Sequence, residues 1–271
     1  MEQDILGVSP IDAVQQPYNN AEDSIFTRYT AKMWNYLAEP LAEHVFGPIE
    51  EKNHLLGVVA VNGALTAIRI PLEYKFSRLY DRSIEKNHKG LAYAAVIGKF
   101  ITKAIDGLDG AVARKTNTQT EFGAGFDPAV DLYGSVEDNV LIQKQAEKSG
   151  DTLTRVLMIS RLVLDGVVLA AGGVGNPVAQ KYAEHKGVEF EEKDKAKANA
   201  MGKLKFGLTF LGDTLMLWGF VDPEKEFNKK CVRVGQAITA ASLVAGSASV
   251  VGYVKAIRKK LKSAKEFALA A

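Results

Sequence analysis

Residues Asp106–Asp131 read D-G-L-D-G-A-V-A-R-K-T-N-T-Q-T-E-F-G-A-G-F-D-P-A-V-D, and the rest of the chain is organised around them. Four aspartates stand there in two pairs, Asp106 with Asp109 and Asp127 with Asp131. Positions three or four apart share a face of a helix. Asp106, Asp109, Gly110, Ala113 and Arg114 therefore line one face of a first helix, and Gly123, Asp127 and Asp131 one face of a second. The polar run Lys115 to Glu121 joins the two as a helical hairpin. Acidic groups then meet across a narrow gap, with glycine where a ligand must approach closely.

Carboxylates gathered in this way repel unless positive charge sits among them. Hard divalent cations held by oxygen ligands answer that need. Two such ions a few Å apart clamp a diphosphate and stabilise the oxygens of an in-line displacement. Arg114, one step along the same face, can hold a phosphate oxygen. A carboxylate not consumed by metal can take a proton from an attacking hydroxyl. The chemistry so predicted is transfer of a phosphoryl-linked group from a diphosphate donor to an alcohol. A solvated acidic face or a helix cap is the competing reading, and the fixed spacing of the whole stretch disfavours it.

The pattern D-x-x-D-G-x-x-A-R, eight residues, then G-x-x-x-D-x-x-x-D resembles the signature of the CDP-alcohol phosphotransferase family. Asp106, Asp109, Gly110, Ala113, Arg114, Gly123, Asp127 and Asp131 fill every fixed position. The resemblance implies an all-α, integral membrane bundle of six transmembrane helices. It implies metal ligation by Asp106, Asp109 and Asp127, extending to Asp131, with two Mg²⁺ per site and Mn²⁺ as the substitute. It implies Asp131 as general base, and Gly110, Ala113, Arg114 and Gly123 around the CDP moiety.

Composition sets the outer bounds. Among 271 residues, 34 are basic and 32 acidic, a net charge of +2 that argues against a nucleic-acid partner. Cys231 is the single cysteine, so no intramolecular disulfide framework exists. Met1 to Asn20 shows no charged start followed by an apolar run. Mean hydropathy is close to zero, and no stretch reaches the ~18 uninterrupted apolar residues of an obvious spanning helix. Six apolar-leaning windows with polar interruptions are what helices around a polar cavity require.

Taken in order, 1–54 is an N-terminal segment in which Ser24 to Phe46 reads as an amphipathic helix. Ile25, Phe26, Tyr29, Met33, Trp34, Leu37, Leu41 and Val45 recur at helical spacing, kinked at Pro40. It lies in the membrane interface or packs on the body of the protein. Residues 55–257 hold the six-helix domain and 258–271 a basic tail suited to anionic headgroups. The first window, Leu55 to Leu72, contains Arg69, which either snorkels to the interface or contacts phosphate. Lys75 to Lys89 reads as a charged connection. The second window starts near Leu91 and ends on the first Asp pair, and the third starts near Gly123. Asp138, seven residues after Asp131, extends the polar cavity or is a buried hydrogen-bonded group. The fourth window is Leu153 to Gly175, followed by a polar loop, Asn176 to Lys197. The fifth runs from Ala200 to Phe220 and the sixth from Val232 to Val254. Small residues four apart on the sixth, Ser242 with Gly246 and Ala245 with Ser249, suit either a homodimer face or an internal contact.

The resemblance places a phosphate site for the acceptor on Arg161, Lys203 and Lys205. An ion pair between Arg161 and Asp165 and ordinary interfacial lysines are the plain alternatives. The D-P-x-x-D form at Asp127, with Thr120 and Gly202-Lys203, is most similar to phosphatidylglycerophosphate synthases, whose usual acceptor is glycerol 3-phosphate. Leu132, where those enzymes commonly carry Lys, keeps inositol phosphate, serine and phosphatidylglycerol open as acceptors. The expected partners are a CDP-linked lipid, a small alcohol and membrane lipid. Basic residues on the Asp-bearing side place it in the cytoplasm, at the cell membrane, although five basic residues of Lys75 to Lys89 oppose that rule. Two readings from other classes compete. One is a prenyl-diphosphate enzyme, whose D-D-x-x-D cluster is absent. The other is a non-catalytic transporter with an acidic ion path.

Overall fold

The structure, a computed structural model, describes residues 65–115, 121–190 and 199–270. The expected interfacial helix at Ser24 to Phe46 and most of the first window lie outside the described residues. Among those described, the chain is helical and contains no strand. The helices are α1 Leu65–Glu85, α2 Lys89–Lys115, α3 Glu121–Ser149 and α4 Thr152–Val168. A π-helical stretch Leu169–Gly175 follows, then α5 Asn176–His185, α6 Ala200–Phe220 and α7 Glu226–Ala270. From Thr152 to His185 the rod is continuous, so six rods account for the described residues.

Short, specific turns join the rods. His88 N–H bonds Ser83 O at 2.8 Å and Asn87 N–H bonds Ile84 O at 3.1 Å, while Asn87 holds the left-handed conformation with φ 55°. That is the double-bonded C-terminal stop of a helix, and it ends α1 at Glu85. Gly150, at φ 71°, ends α3 in the same way, with Asp151 N–H on Ala146 O at 2.8 Å. Asp151 at once caps α4, accepting from Thr154 N–H at 3.0 Å. Asn199 caps α6 by accepting from Gly202 N–H at 2.8 Å.

Two connections expected from sequence are helical instead. Most of Lys75 to Lys89 belongs to α1, and only residues 86–88 form the turn. Its inward face is carried by Glu73, Ser77, Tyr80 and Ser83, all buried. Three of these four are polar, so the helical period escapes a count of apolar residues. Likewise Asn176 to His185 is α5, whose buried face is Asn176, Ala179 and Ala183. The tail is also helix, because α7 runs unbroken through the basic stretch. Lys260 there is buried and donates to Asn176 Oδ1 at 2.8 Å.

α6 and α7 meet backbone to backbone. A Cβ built on Gly219 would stand 2.6 Å from Asn228 O, and one on Gly235 would stand 2.8 Å from Gly212 O. The small-residue stripe of α7 is likewise internal: Ser242, Ala245 and Ser249 are buried, and Gly246 faces Leu164.

The interior divides into two halves along the helix axes. Away from the Asp motif, Tyr80, Ala92, Val96, Ile142, Met158 and Leu217 form an apolar core. Toward the motif the same helices bury Arg69, Glu73, Lys99, Asp138, Arg161 and Asp213. The outward faces are apolar where α2 exposes Ile97, Phe100 and Ile101 and α4 exposes Val156, Ile159 and Val163. Two rods, Thr152–His185 and Glu226–Leu269, are long and apolar enough to cross a membrane.

Candidate active site

The last turns of α2 carry Asp106, Asp109, Gly110, Ala113 and Arg114, and the first turns of α3 carry Gly123, Asp127 and Asp131. Both Asp pairs therefore fall on helix, at the two helix ends that residues 116–120 connect. The side chains of Asp106, Asp109, Ala113, Arg114 and Asp127 lie outside the described residues, as does the hairpin turn. The Asp131 side chain is described.

Asp131 accepts from Arg69 Nη2 at 2.7 Å. Arg69 is 3 % exposed, so it does not snorkel to an interface; it points into the bundle and crosses from α1 to α3. Pairing with a carboxylate is what makes a buried guanidinium tolerable.

Below this pair lies a network that ties α1, α2 and α3 together. Lys99 Nζ donates to Glu73 Oε2 at 2.6 Å and to Ser77 Oγ at 2.7 Å. It also pairs with Asp138 Oδ1 at 2.9 Å, and Lys103 pairs with the other Asp138 oxygen. Asp138 is thus the buried, bonded group of the two sequence readings. Glu73, Lys99 and Lys103 carry no sequence motif. A signal existed all the same, since Lys99 and Lys103 share a helix face with Asp106, just as Asp138 shares one with Asp131.

The candidate acceptor-phosphate residues fall in different settings. Arg161 is fully buried. It pairs with Asp213 and donates to Ser135 O at 2.8 Å, while Asp165 stands 3.9 Å from its Nε. Asp165 instead pairs with Lys205. Lys203 is exposed on the first turn of α6. A narrow cavity opens beside Asp131, lined by Arg69, Glu73, Lys103, Ser135, Thr209 and Phe210 among others.

Asp106, Asp109, Asp127 and Asp131 offer only oxygen donors, which suits a hard divalent cation. Among the described side chains no three His, Cys, Asp or Glu gather into a metal-holding group.

Residues 60–248 match the family model of the CDP-alcohol phosphatidyltransferases. No curated protein and no solved structure matches the chain. Members of that family are membrane transferases of phospholipid synthesis. They move a substituted phosphate group from a CDP-alcohol to an alcohol acceptor and generally depend on a divalent metal. The matched span includes the whole of Asp106–Asp131 and the polar half of the helix bundle beneath it. The chain belongs to the CDP-alcohol phosphatidyltransferase family.

Proposed function

We propose that this transferase moves the phosphatidyl group of CDP-diacylglycerol to glycerol 3-phosphate, giving phosphatidylglycerophosphate and CMP. The observation that carries the reading is the pairing of Asp131 with a buried arginine at the wall of a narrow cavity. Asp131 is the general base: it takes the proton of the acceptor hydroxyl. The freed oxygen bonds to the β-phosphorus as the bond to the CMP oxygen breaks, and CMP carries away the electron pair.

Asp106, Asp109 and Asp127, with Asp131 at the edge, would hold Mg²⁺, which when bound neutralises the diphosphate and the departing oxygen. Gly110 and Gly123 leave room for the cytidine nucleotide, Ala113 lines the same face, and Arg114 holds a phosphate oxygen. Lys203, Lys205 and Arg161 serve a phosphate on the acceptor. For Arg161 and Lys205 this means sharing a cation that already faces Asp213 or Asp165. The molecule spans the membrane as a six-helix bundle with its N-terminal amphipathic helix at the interface and its Asp-bearing end in the cytoplasm. Inositol phosphate, serine and phosphatidylglycerol are the competing acceptors, and residue 132, a leucine, is the departure that favours testing them.

The test is CMP release by purified enzyme supplied with CDP-dioleoylglycerol and a panel of acceptors, with Mg²⁺ and after chelation. Turnover with glycerol 3-phosphate, lost on chelation and restored by Mg²⁺, supports the assignment. Asp131→Asn should abolish turnover while CDP-lipid still binds; normal turnover in that variant rejects Asp131 as base. An ion path without catalysis releases no CMP under any condition.

A further inference from the structure

Thr209 stands on the inner face of α6, 5 % exposed, and its Oγ1 has no hydrogen-bond partner among the described residues. It lines the narrow cavity beside Asp131, together with Glu73, Lys103, Gly134 and Phe210. A buried hydroxyl left unpaired costs free energy, so its place on a cavity wall points to a polar ligand group that completes it.

Among the described side chains, the charges around the cavity balance. Arg69 pairs with Asp131 at 2.7 Å, Lys99 with Glu73 at 2.6 Å, and both Lys99 and Lys103 with Asp138. An added ammonium or carboxylate would enter uncompensated, and that is unfavourable in a site removed from water. A neutral group that both donates and accepts hydrogen bonds enters freely. Glu73 spends Oε2 on Lys99. Its Oε1 faces Gly134, where an added Cβ would stand 3.6 Å away. A carboxylate oxygen, a free hydroxyl and the base Asp131 therefore look onto one space, an arrangement that fits hydroxyls on adjacent carbons.

We propose that this cavity receives the neutral, hydroxyl-bearing carbons of the acceptor, a glycerol-type chain, and that Thr209 and Glu73 determine which alcohols react. This rests on the phosphatidyl-transfer reading given above. Thr209 touches the hydroxyl next to the one that reacts, Glu73 accepts from it, and the acceptor's charged group stays outside the cavity. Serine, whose ammonium and carboxylate both adjoin its hydroxyl, is excluded.

The experiment measures CMP release by the full-length enzyme in nanodiscs, with CDP-dioleoylglycerol, Mg²⁺, and either glycerol 3-phosphate or serine. Thr209→Val should raise KM for glycerol 3-phosphate about tenfold, the worth of one lost neutral hydrogen bond, with kcat and the KM for CDP-lipid little changed. Thr209→Ser should restore the wild-type value. Gly134→Ala, whose methyl fits against Glu73 yet narrows the space, should raise the same KM, and it decides the matter if Thr209→Val fails to fold. An unchanged acceptor KM in the folded variants, or a wild type that prefers serine, overturns the proposal and leaves phosphatidyl transfer standing. A wild type that releases no CMP with either acceptor overturns both.

Discussion

Nη2 of Arg69 on α1 lies 2.7 Å from Oδ1 of Asp131 on α3, and the guanidinium that makes this bond is almost wholly withdrawn from solvent. A hydrogen bond to a charged group contributes about 1.5–3 kcal/mol. Arg69→Gln should therefore lower kcat by roughly tenfold to a hundredfold, with a smaller change in the KM for CDP-lipid. Arg69→Lys, which keeps charge but loses the planar fork, should recover part of the loss. Equal kcat in the glutamine variant would show that Asp131 is positioned without Arg69.

Arg161 and Asp213 form a second buried pair, both fully inaccessible. Removing one member of such a pair costs about 3–5 kcal/mol, whereas replacing both by apolar residues of similar volume is often neutral. Arg161→Met should lower the unfolding midpoint sharply in detergent, and Arg161→Met with Asp213→Leu should restore it. Turnover then separates the roles of Arg161. If stability returns and activity does not, the guanidinium serves the acceptor; if both return, it serves the fold.

Glycines in two settings should respond in opposite directions. Gly219 faces Asn228 O so closely that a Cβ would lie 2.6 Å from it, while nothing stands within 4 Å of a Cβ on Gly166. Gly219→Ala should destabilise by about 1–3 kcal/mol through overpacking against backbone. Gly166→Ala should stabilise by about 0.5–1 kcal/mol through reduced backbone entropy of the unfolded chain. Thermal unfolding of the two variants checks both signs.

At the opposite end of the bundle from the Asp motif, Asp222 meets Lys89 at 2.8 Å and Lys225 at 3.2 Å. Its hydrogen bond from Lys89 holds the carboxyl below its ordinary value of 3.8. A depressed carboxyl stabilises the fold above its ordinary value, and that contribution is lost as pH falls through the folded value. Asp222→Asn should therefore unfold at a lower temperature than wild type near neutral pH, and the gap should close as pH drops below 3.8. A gap unchanged across that range would remove Asp222 from the account of stability.

The sequence reading was strongest where spacing alone carried meaning. Eight fixed positions put both Asp pairs on adjoining helices, and the fifth window, Ala200 to Phe220, coincides with α6. It failed where an inward face is built from polar side chains that satisfy one another. Glu73, Ser77 and Asn176 count as outward by hydropathy, yet each bonds a buried lysine. Neither reading of Arg69, interfacial or phosphate-binding, includes Asp131, since that partner is 62 positions away and on another helix. Thr209 and Asp213 interrupt the mainly apolar stretch Leu204 to Phe220, but the spacing does not say what they meet; Asp213 pairs with Arg161 of α4, and Thr209 lines the cavity beside Asp131.

The π-helical stretch Leu169–Gly175 has wider turns than the helices it joins. Residues such as Arg161 and Ala179, five regular turns apart and so eclipsed on a straight rod, are rotated out of register by it. The upper half of the rod thereby presents Arg161 and Asp165 to α3 and α6, and the lower half presents Asn176 and Ala183 to α7. One continuous rod thus works as a cam with two offset lobes, and deleting a single residue between 169 and 175 would swing Asn176 away from Lys260 without breaking a helix.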